Sequence, residues 1–475
     1  MQWTKDQRKI IDARDCNLLV SAAAGSGKTA VLVERIIEMI ADTAHPMDID
    51  ELLVVTFTKA AAAQMKDKIA KALEDMLQKE PENEHYMKQL NYISQANILT
   101  IDSFCYQVVK ENFHVLGLDP AIRIGEPGEI LLLQDEALER VVEECYQNPD
   151  FVQCSEAFSA DKTDDRIMEY MLKIYTVCSS YPRPEQWIAN AKASLHVESE
   201  EAFVKIPFVI QYFEQLHQTA RGIRAKVQMA LDIARSIDGP LYMEKTLLAD
   251  VVLVEDLISA RTYTQFMDVA GQKFATMGRA KKGDVFDIDK ADRIKSIRDD
   301  YKKEINAIFG LFELPFEIVL EQFAAQEKML AALLDAAELF RQQFLQAKLA
   351  KGILEFSDVE HFALQVLCEG YDKEERPVPS AVGREMSEQF REILIDEYQD
   401  SNYLQEAILQ CVSRIPEGVH NIFMVGDVKQ SIYSFRMARP DLFMEKYHSY
   451  SVEEGKSCRK LLLKNNFRSR ANVLE

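Results

Sequence analysis

No stretch of this chain approaches the roughly 20 consecutive apolar residues that a membrane helix needs, and the polar N-terminus lacks the apolar segment of a signal peptide. Membrane insertion and export are therefore not expected. Cys-x-x-Cys pairs are also missing. The eight cysteines, at positions 16, 105, 145, 154, 178, 368, 411 and 458, are scattered. That pattern argues against a zinc or disulfide framework and predicts a reducing cytoplasm. Positive charge is in deficit, with 56 Lys and Arg against 77 Asp and Glu, a net charge of −21. That balance argues against a nonspecific nucleic-acid coat, because the phosphate backbone would be repelled. A local groove lined by backbone amides, hydroxyls and a few cations is not excluded, nor is a basic partner protein. Internal repeats and low-complexity tracts are absent as well.

What is present is a chain of 475 residues, 47% hydrophobic and 28% charged, the composition of a globular protein. Its length suggests roughly three domains. Short runs rich in Val, Ile and Leu recur at Asn17–Ser21, Glu51–Thr56, Ala96–Ile101, Glu392–Ile395, Asn421–Val425 and Lys460–Leu463. Such runs suit strands buried on both faces. Helix-like stretches such as Thr29–Ala41, Lys59–Leu77 and Ser103–Asn112 follow most of them, which is the alternation of an open parallel sheet. The pattern stops near Leu118 and resumes near Phe390. Between them, Glu129–Tyr146, Phe203–Ser236, Met243–Phe266 and Leu314–Ala350 carry apolar residues at helical spacing. The expected fold is α/β, a parallel-sheet domain with a large, mainly α-helical insertion. Its divisions are 1–118 and 352–459 for the sheet domain, 119–351 for the insertion and 460–475 for the start of a second domain. The charge-dense Gly271–Tyr301 stretch reads as a solvated connector or exposed helix, with a DNA-facing basic strip as the alternative, and Gly370–Gly383 as a surface loop.

Two segments carry phosphate chemistry. The run from Asn17 to Ser21 leads into Ala22-Ala23-Ala24-Gly25-Ser26-Gly27-Lys28-Thr29, a strand, a small-residue loop and a helix. This is a P-loop with Ala22 in place of the first glycine. Backbone N–H groups and the helix N-terminus can cradle phosphates, Lys28 can reach the terminal ones, and Thr29 can hold Mg²⁺. Far downstream, Glu392-Ile-Leu-Ile-Asp396-Glu397-Tyr398-Gln399-Asp400 is a buried strand ending in carboxylates. Asp396 suits the metal and Glu397 a base for water. Together they predict an NTP-hydrolysing enzyme that uses Mg²⁺.

Further segments resemble superfamily 1 DNA helicases of the UvrD/RecB type, and among them the AddA-like helicase–nuclease proteins. The resemblance covers residues 1–118 and about 352–475 by motif. It implies a RecA-like motor. Gln7, in Thr4-Lys-Asp-Gln7, matches a family glutamine that reads adenine, and Arg35 matches a residue near the nucleotide, with a helix-surface ion pair as the alternative. Thr56-Phe57-Thr58-Lys59-Ala60 resembles a segment that contacts single-stranded DNA, which implies DNA roles for Phe57 and Thr58; Phe57 packed in a core is the alternative. Leu99-Thr100-Ile101-Asp102-Ser103-Phe104 aligns with a Thr-x-His-Ser-Phe segment. Thr100 and Ser103 fit a DNA role; Asp102, where the family has His, would repel a phosphate unless it accepts a hydrogen bond. Val425-Gly426-Asp427-Val428-Lys429-Gln430-Ser431-Ile432-Tyr433-Ser434-Phe435-Arg436 resembles the motif in which a glutamine, here Gln430, senses the γ-phosphate and an aromatic, here Phe435, stacks on a base. Asn466-Phe467-Arg468-Ser469 implies adenine stacking by Phe467 and an arginine finger at Arg468. Phe356-Ser357-Asp358-Val359-Glu360-His361 resembles an AddA/RecB segment. Its Asp358 and His361 share a helical face, but a helix start capped by Ser357 or Asp358 is the simpler reading.

The implied whole is part of an ATP-dependent helicase that works on single- and double-stranded DNA in break repair, in the bacterial cytoplasm beside an AddB-like partner. The run to Glu475 opens a strand-loop-helix unit, so a longer polypeptide is expected, and the AddA-like resemblance implies that it carries a nuclease. A stand-alone UvrD/PcrA-like helicase and a non-catalytic DNA-binding module are the alternatives.

Overall fold

A computed structural model describes residues 3–158, 163–432 and 437–467. Six parallel strands form the main sheet: β1 (Asn17–Ala22), β2 (Leu52–Thr56), β3 (Asn97–Thr100), β4 (Glu392–Ile395), β5 (Ile422–Gly426) and β6 (Cys458–Leu463), in the order β6-β1-β5-β4-β2-β3. All six runs expected from the sequence form strands. Six helices position the site: α1 (Lys5–Asp12), α2 (Lys28–Ile40), α3 (Lys59–Lys79), α4 (Ile101–Glu111), α5 (Phe356–Leu367) and α6 (Tyr403–Cys411).

Both faces of the sheet are covered, which is why its strands read as continuous apolar runs and not as alternation. Leu52 and Val54 turn to one face with Ile10, Val31, Leu32, Met65 and Ile69 of α1, α2 and α3. Leu53 and Val55 turn to the other with Phe104, Val108, Val359, Ala363, Leu404 and Ile408 of α4, α5 and α6. Because the strands are parallel, their carboxyl ends all open on one edge. In open α/β sheets that edge is where ligands bind.

The chain divides into two compact units, one of Met1–Cys145, Thr163–Ile188 and Ala336–Glu475, the other of Tyr146–Lys162 and Ala189–Asp335. Stretches that helical spacing assigns to the 119–351 insertion thus pack with the sheet. Tyr175 stacks edge-on to Phe340 and Phe344 and donates to Glu355 Oε2 at 2.9 Å. Periodicity shows that a segment is helical but not which core it joins. Arg123–Ile124 pairs in parallel with Ile353–Leu354 beside the sheet unit. Strand β6 corrects the expected boundary at 460: it pairs with β1 along its whole length, so residues 460–463 complete the first sheet. Gly370 is likewise not in a loop, because Cys368–Tyr371 and Pro377–Pro379 form an antiparallel pair.

The second unit is helical. Pro207–Arg235 packs on Glu244–Ser259 and Ile288–Phe309 around Ile223, Val227, Leu253, Val254, Tyr301 and Ile305. The charged stretch contributes to this core. Arg298 is buried against Asp250, with Nε donating to Oδ2 at 2.6 Å, and Tyr301 donates its hydroxyl to the same carboxylate. The expectation of a solvated connector or exposed helix over 271–301 holds for only part of the stretch, because one face of the Ile288–Phe309 helix is internal.

Candidate nucleotide site and nucleic-acid groove

The loop after β1 bends through Gly25 (φ 73°) and Gly27 (φ 86°), left-handed conformations that glycine adopts without a Cβ penalty. Ala22 is the last residue of β1 and is buried, in extended backbone where alanine fits. This explains how the first glycine of the loop can be replaced. Helix α2 starts at Lys28, so Lys28 and Thr29 stand at its N-terminus, where backbone N–H groups lack helical partners. Ala23 and Ala24 are exposed at the rim.

Lys28 Nζ donates to Glu397 Oε2 at 2.6 Å. Glu397 follows β4 in left-handed backbone (φ 52°), a strained conformation for a residue with a side chain. Asp396 is buried beside it and accepts from the Glu397 N–H through Oδ1 at 3.0 Å. Burial, then the Glu397 charge, pushes the Asp396 carboxyl up to about 6. A cation at this position would relieve that cost. Gln399, which sequence reasoning left unassigned, ties the strand ends together. Its Nε2 donates to Glu397 Oε2 at 2.9 Å and its Oε1 accepts from Asp427 N at 2.9 Å. Gly426 lets this happen, since a Cβ there would collide with Gln399 Oε1. Gln430 hydrogen-bonds Asp427 Oδ2 at 2.7 Å on the next turn.

Gln7 and Phe467 reach the same loop. Gln7 Nε2 donates to Ser26 O at 3.3 Å, while its Oε1 caps α1 by accepting from Thr4 N at 3.0 Å. The Phe467 N–H donates to Gly25 O at 2.8 Å, and its ring is exposed. The Ser26 hydroxyl is buried with no hydrogen-bond partner among the described residues. An orphaned donor in a loop that opens a helix fits a phosphate chain, and Thr29 with Asp396 fits its divalent cation. Arg35 does not fit this site. It is buried, ion-paired with Glu392 and bonded to Ile10 O, and its guanidinium lies over the Phe423 ring. Packing of α2 on the sheet points this side chain into the core, so the expected nucleotide contact is corrected. Arg468 and Phe435 lie outside the described residues.

Beside the carboxyl ends of β2 and β3 runs a groove of about 1040 Å³ within the sheet unit. Phe57, Thr58, Thr100 and Ser103 all line it. The residues that cap α3, α4, α5 and α6, namely Thr58, Thr100, Glu355 and Asn402, line it too. Four helix N-termini therefore face one channel. Thr58 accepts from Ala61 N at 3.1 Å and Thr100 from Ser103 N at 3.2 Å, so both hydroxyls already serve as caps. The cap of α5 is Glu355, and Asp358 at the third helical position accepts from Glu355 N at 2.8 Å. That corrects the expectation of Ser357 or Asp358 as the cap. His361 has both ring nitrogens on backbone, at Ser357 O and Tyr181 O. Sequence reasoning also missed Lys348, a buried cation between Glu355 (2.5 Å) and Asp358 (2.7 Å). It lies in a long helix with no local signal of its partners.

Residues 3–451 match the model of the UvrD/REP helicase N-terminal domain. The chain belongs to that family. Over its whole length it is 43% identical to the A component of an ATP-dependent helicase/nuclease from Lachnoclostridium phytofermentans, covering 35% of that protein. Proteins of the same description from Clostridium beijerinckii and Acetivibrio thermocellus are 37% and 38% identical, with 38% of each covered. The chain thus spans between a third and two-fifths of the length of these curated relatives. Membership of the helicase family accounts for the pairing of a P-loop with a second cluster of residues at the neighbouring strand ends.

Proposed function

We propose that this chain is the ATP-hydrolysing motor portion of a bacterial DNA helicase–nuclease of the AddA type. It would act in the cytoplasm on single- and double-stranded DNA during break repair, beside an AddB-like partner. The observation that carries the reading is the 2.6 Å contact between Lys28 Nζ and Glu397 Oε2, which links the carboxyl ends of β1 and β4 past β5, in a chain of the helicase family. Lys28 and Glu397 neutralise each other in this state. A terminal phosphate would draw Lys28 away, and Glu397, freed, would accept the proton of an attacking water. Gln399 holds Glu397 by its other contacts, and Gln430 on Asp427 stands ready to sense the phosphate. Mg²⁺, held by Thr29 and Asp396, would supply charge neutralisation on the phosphate oxygens. Gln7 and Phe467 would flank the adenine, and Arg468 would act as the arginine finger. The strand would lie in the groove of Phe57, Thr58, Thr100 and Ser103, with Phe435 as a further stacking ring.

The test is ATP hydrolysis with and without single-stranded DNA. Lys28→Ala should lower turnover at least about 100-fold, with unchanged circular dichroism. Turnover within a few-fold of the parent would overturn the assignment. A DNA-independent rate in the parent would overturn the DNA part alone.

A further inference from the structure

Gln399 is buried, and both ends of its side-chain amide are engaged. Nε2 donates to Glu397 Oε2 at 2.9 Å and to Asp400 Oδ2 at 3.2 Å, while Oε1 accepts from Asp427 N at 2.9 Å. One nitrogen is thus shared by two carboxylates that belong to different places. Glu397 meets Lys28 at the nucleotide loop, whereas Asp400 lines the groove. The two are also the ends of one tight turn, in which Asp400 N donates to Glu397 O at 3.0 Å. Asp400 Oδ1 is buried with no hydrogen-bond partner among the described residues. Such an acceptor gains a full hydrogen bond from an incoming N–H.

We propose that Gln399 is a positioning residue that couples strand occupancy of the groove to ATP hydrolysis, by passing movement of Asp400 to Glu397. The inference rests on the reading of the groove as a strand path and of Glu397 as the base. In this state Glu397 Oε2 accepts from both Lys28 and Gln399. Once a terminal phosphate takes Lys28, Gln399 is the side-chain donor left on Glu397 among the described residues. A base N–H donating to Asp400 Oδ1 turns that carboxylate. The shared amide nitrogen moves with it, pivoting about the Oε1 that Asp427 N holds, and Glu397 follows. The path ends at Glu397 and does not run through the backbone of the loop or Thr29. It therefore acts on turnover more than on nucleotide affinity.

The experiment measures kcat and KM for ATP hydrolysis by the 475-residue chain with and without an oligodeoxyadenylate, whose adenines carry N–H donors. In the parent the oligonucleotide should raise kcat. Gln399→Met keeps the side-chain length and removes the amide. It should lower kcat with the oligonucleotide roughly tenfold, the worth of a hydrogen bond to a charged group, and kcat without it by less. KM for ATP should stay within about twofold of the parent. Asp400→Asn keeps a carbonyl for Gln399 but not the second accepting oxygen, and should lower the stimulation too. The double variant should be no worse than Gln399→Met, because both residues are links of one chain. Stimulation equal to the parent in either single variant, or additive losses in the double, overturns this inference while leaving the strand and nucleotide readings intact. Should Gln399→Met fail to fold by circular dichroism, Asp400→Asn decides alone. A parent that the oligonucleotide does not stimulate overturns both this inference and the strand reading.

Discussion

Arg35 and Lys28 sit on the same helix seven residues apart, and packing gives them opposite fates. Lys28 is at the helix start, where its ammonium meets Glu397. Arg35 is two turns on, inside the core, where Glu392, backbone carbonyls and the Phe423 ring absorb its guanidinium. Removing one partner of a buried pair strands the other, at about 3–5 kcal/mol. Arg35→Ala should therefore cost about that much in urea denaturation, with the KM for ATP unchanged in the folded fraction. A raised KM at unchanged stability would restore a nucleotide role. At the other carboxylate, Glu397→Gln should keep nucleotide binding and lower hydrolysis by roughly 10²–10⁴, the usual worth of a positioned base. Asp396→Asn should weaken Mg²⁺-dependent binding as well. Identical binding profiles for the two variants would count against the division of roles.

At the scale of elements, the groove is an arrangement of helix starts. Helices α3, α4, α5 and α6 each begin at it with a side-chain cap. Their orphan N–H groups and dipoles give a chain of net charge −21 a local surface suited to a polyanion. The α5 start is held by Lys348, whose side chain is fully buried between Glu355 and Asp358 and approaches the Tyr175 hydroxyl. Lys348→Met keeps the length of the side chain and removes the charge. It should destabilise the chain by about 3 kcal/mol or more, since two carboxylates lose their cation. Thermal unfolding of the variant within a degree of the parent would show that water replaces the ammonium.

For the whole molecule, Glu360 makes stability depend on pH. Its folded value of about 8 lies above the ordinary 4.5, because burial and then Asp102 disfavour the charged form. Between those values the folded chain holds a proton that the unfolded chain has lost. The contribution is full below about pH 4.5 and is lost as pH rises through about 8. Asp396 and Asp400, both pushed up to about 6 by burial and the Glu397 charge, act in the same direction over a lower window. Glu360→Gln removes its share. It should be more stable than the parent by roughly 2–4 kcal/mol near pH 8, with the difference closing toward pH 4.5. Denaturation midpoints at the two pH values check this; a constant difference would mean that Glu360 is ionised throughout.

Much of this protein is legible in one dimension. Buried parallel strands declare themselves as apolar runs, because both faces need Val, Ile and Leu, and each of the six runs became a strand of one sheet. The P-loop and the Asp396-Glu397 pair are equally local, since a phosphate cradle is built from consecutive backbone and a strand end from consecutive side chains. Spatial facts were not legible. That β6 closes the first sheet depends on its pairing with β1, at the far end of the sequence. That Lys348 neutralises Glu355 and Asp358 and that Gln399 links β4 to β5 each depends on which elements pack together. A single side chain carries no record of its distant partner, so hydrophobic spacing predicts each element while only the packed sheet decides which charges meet.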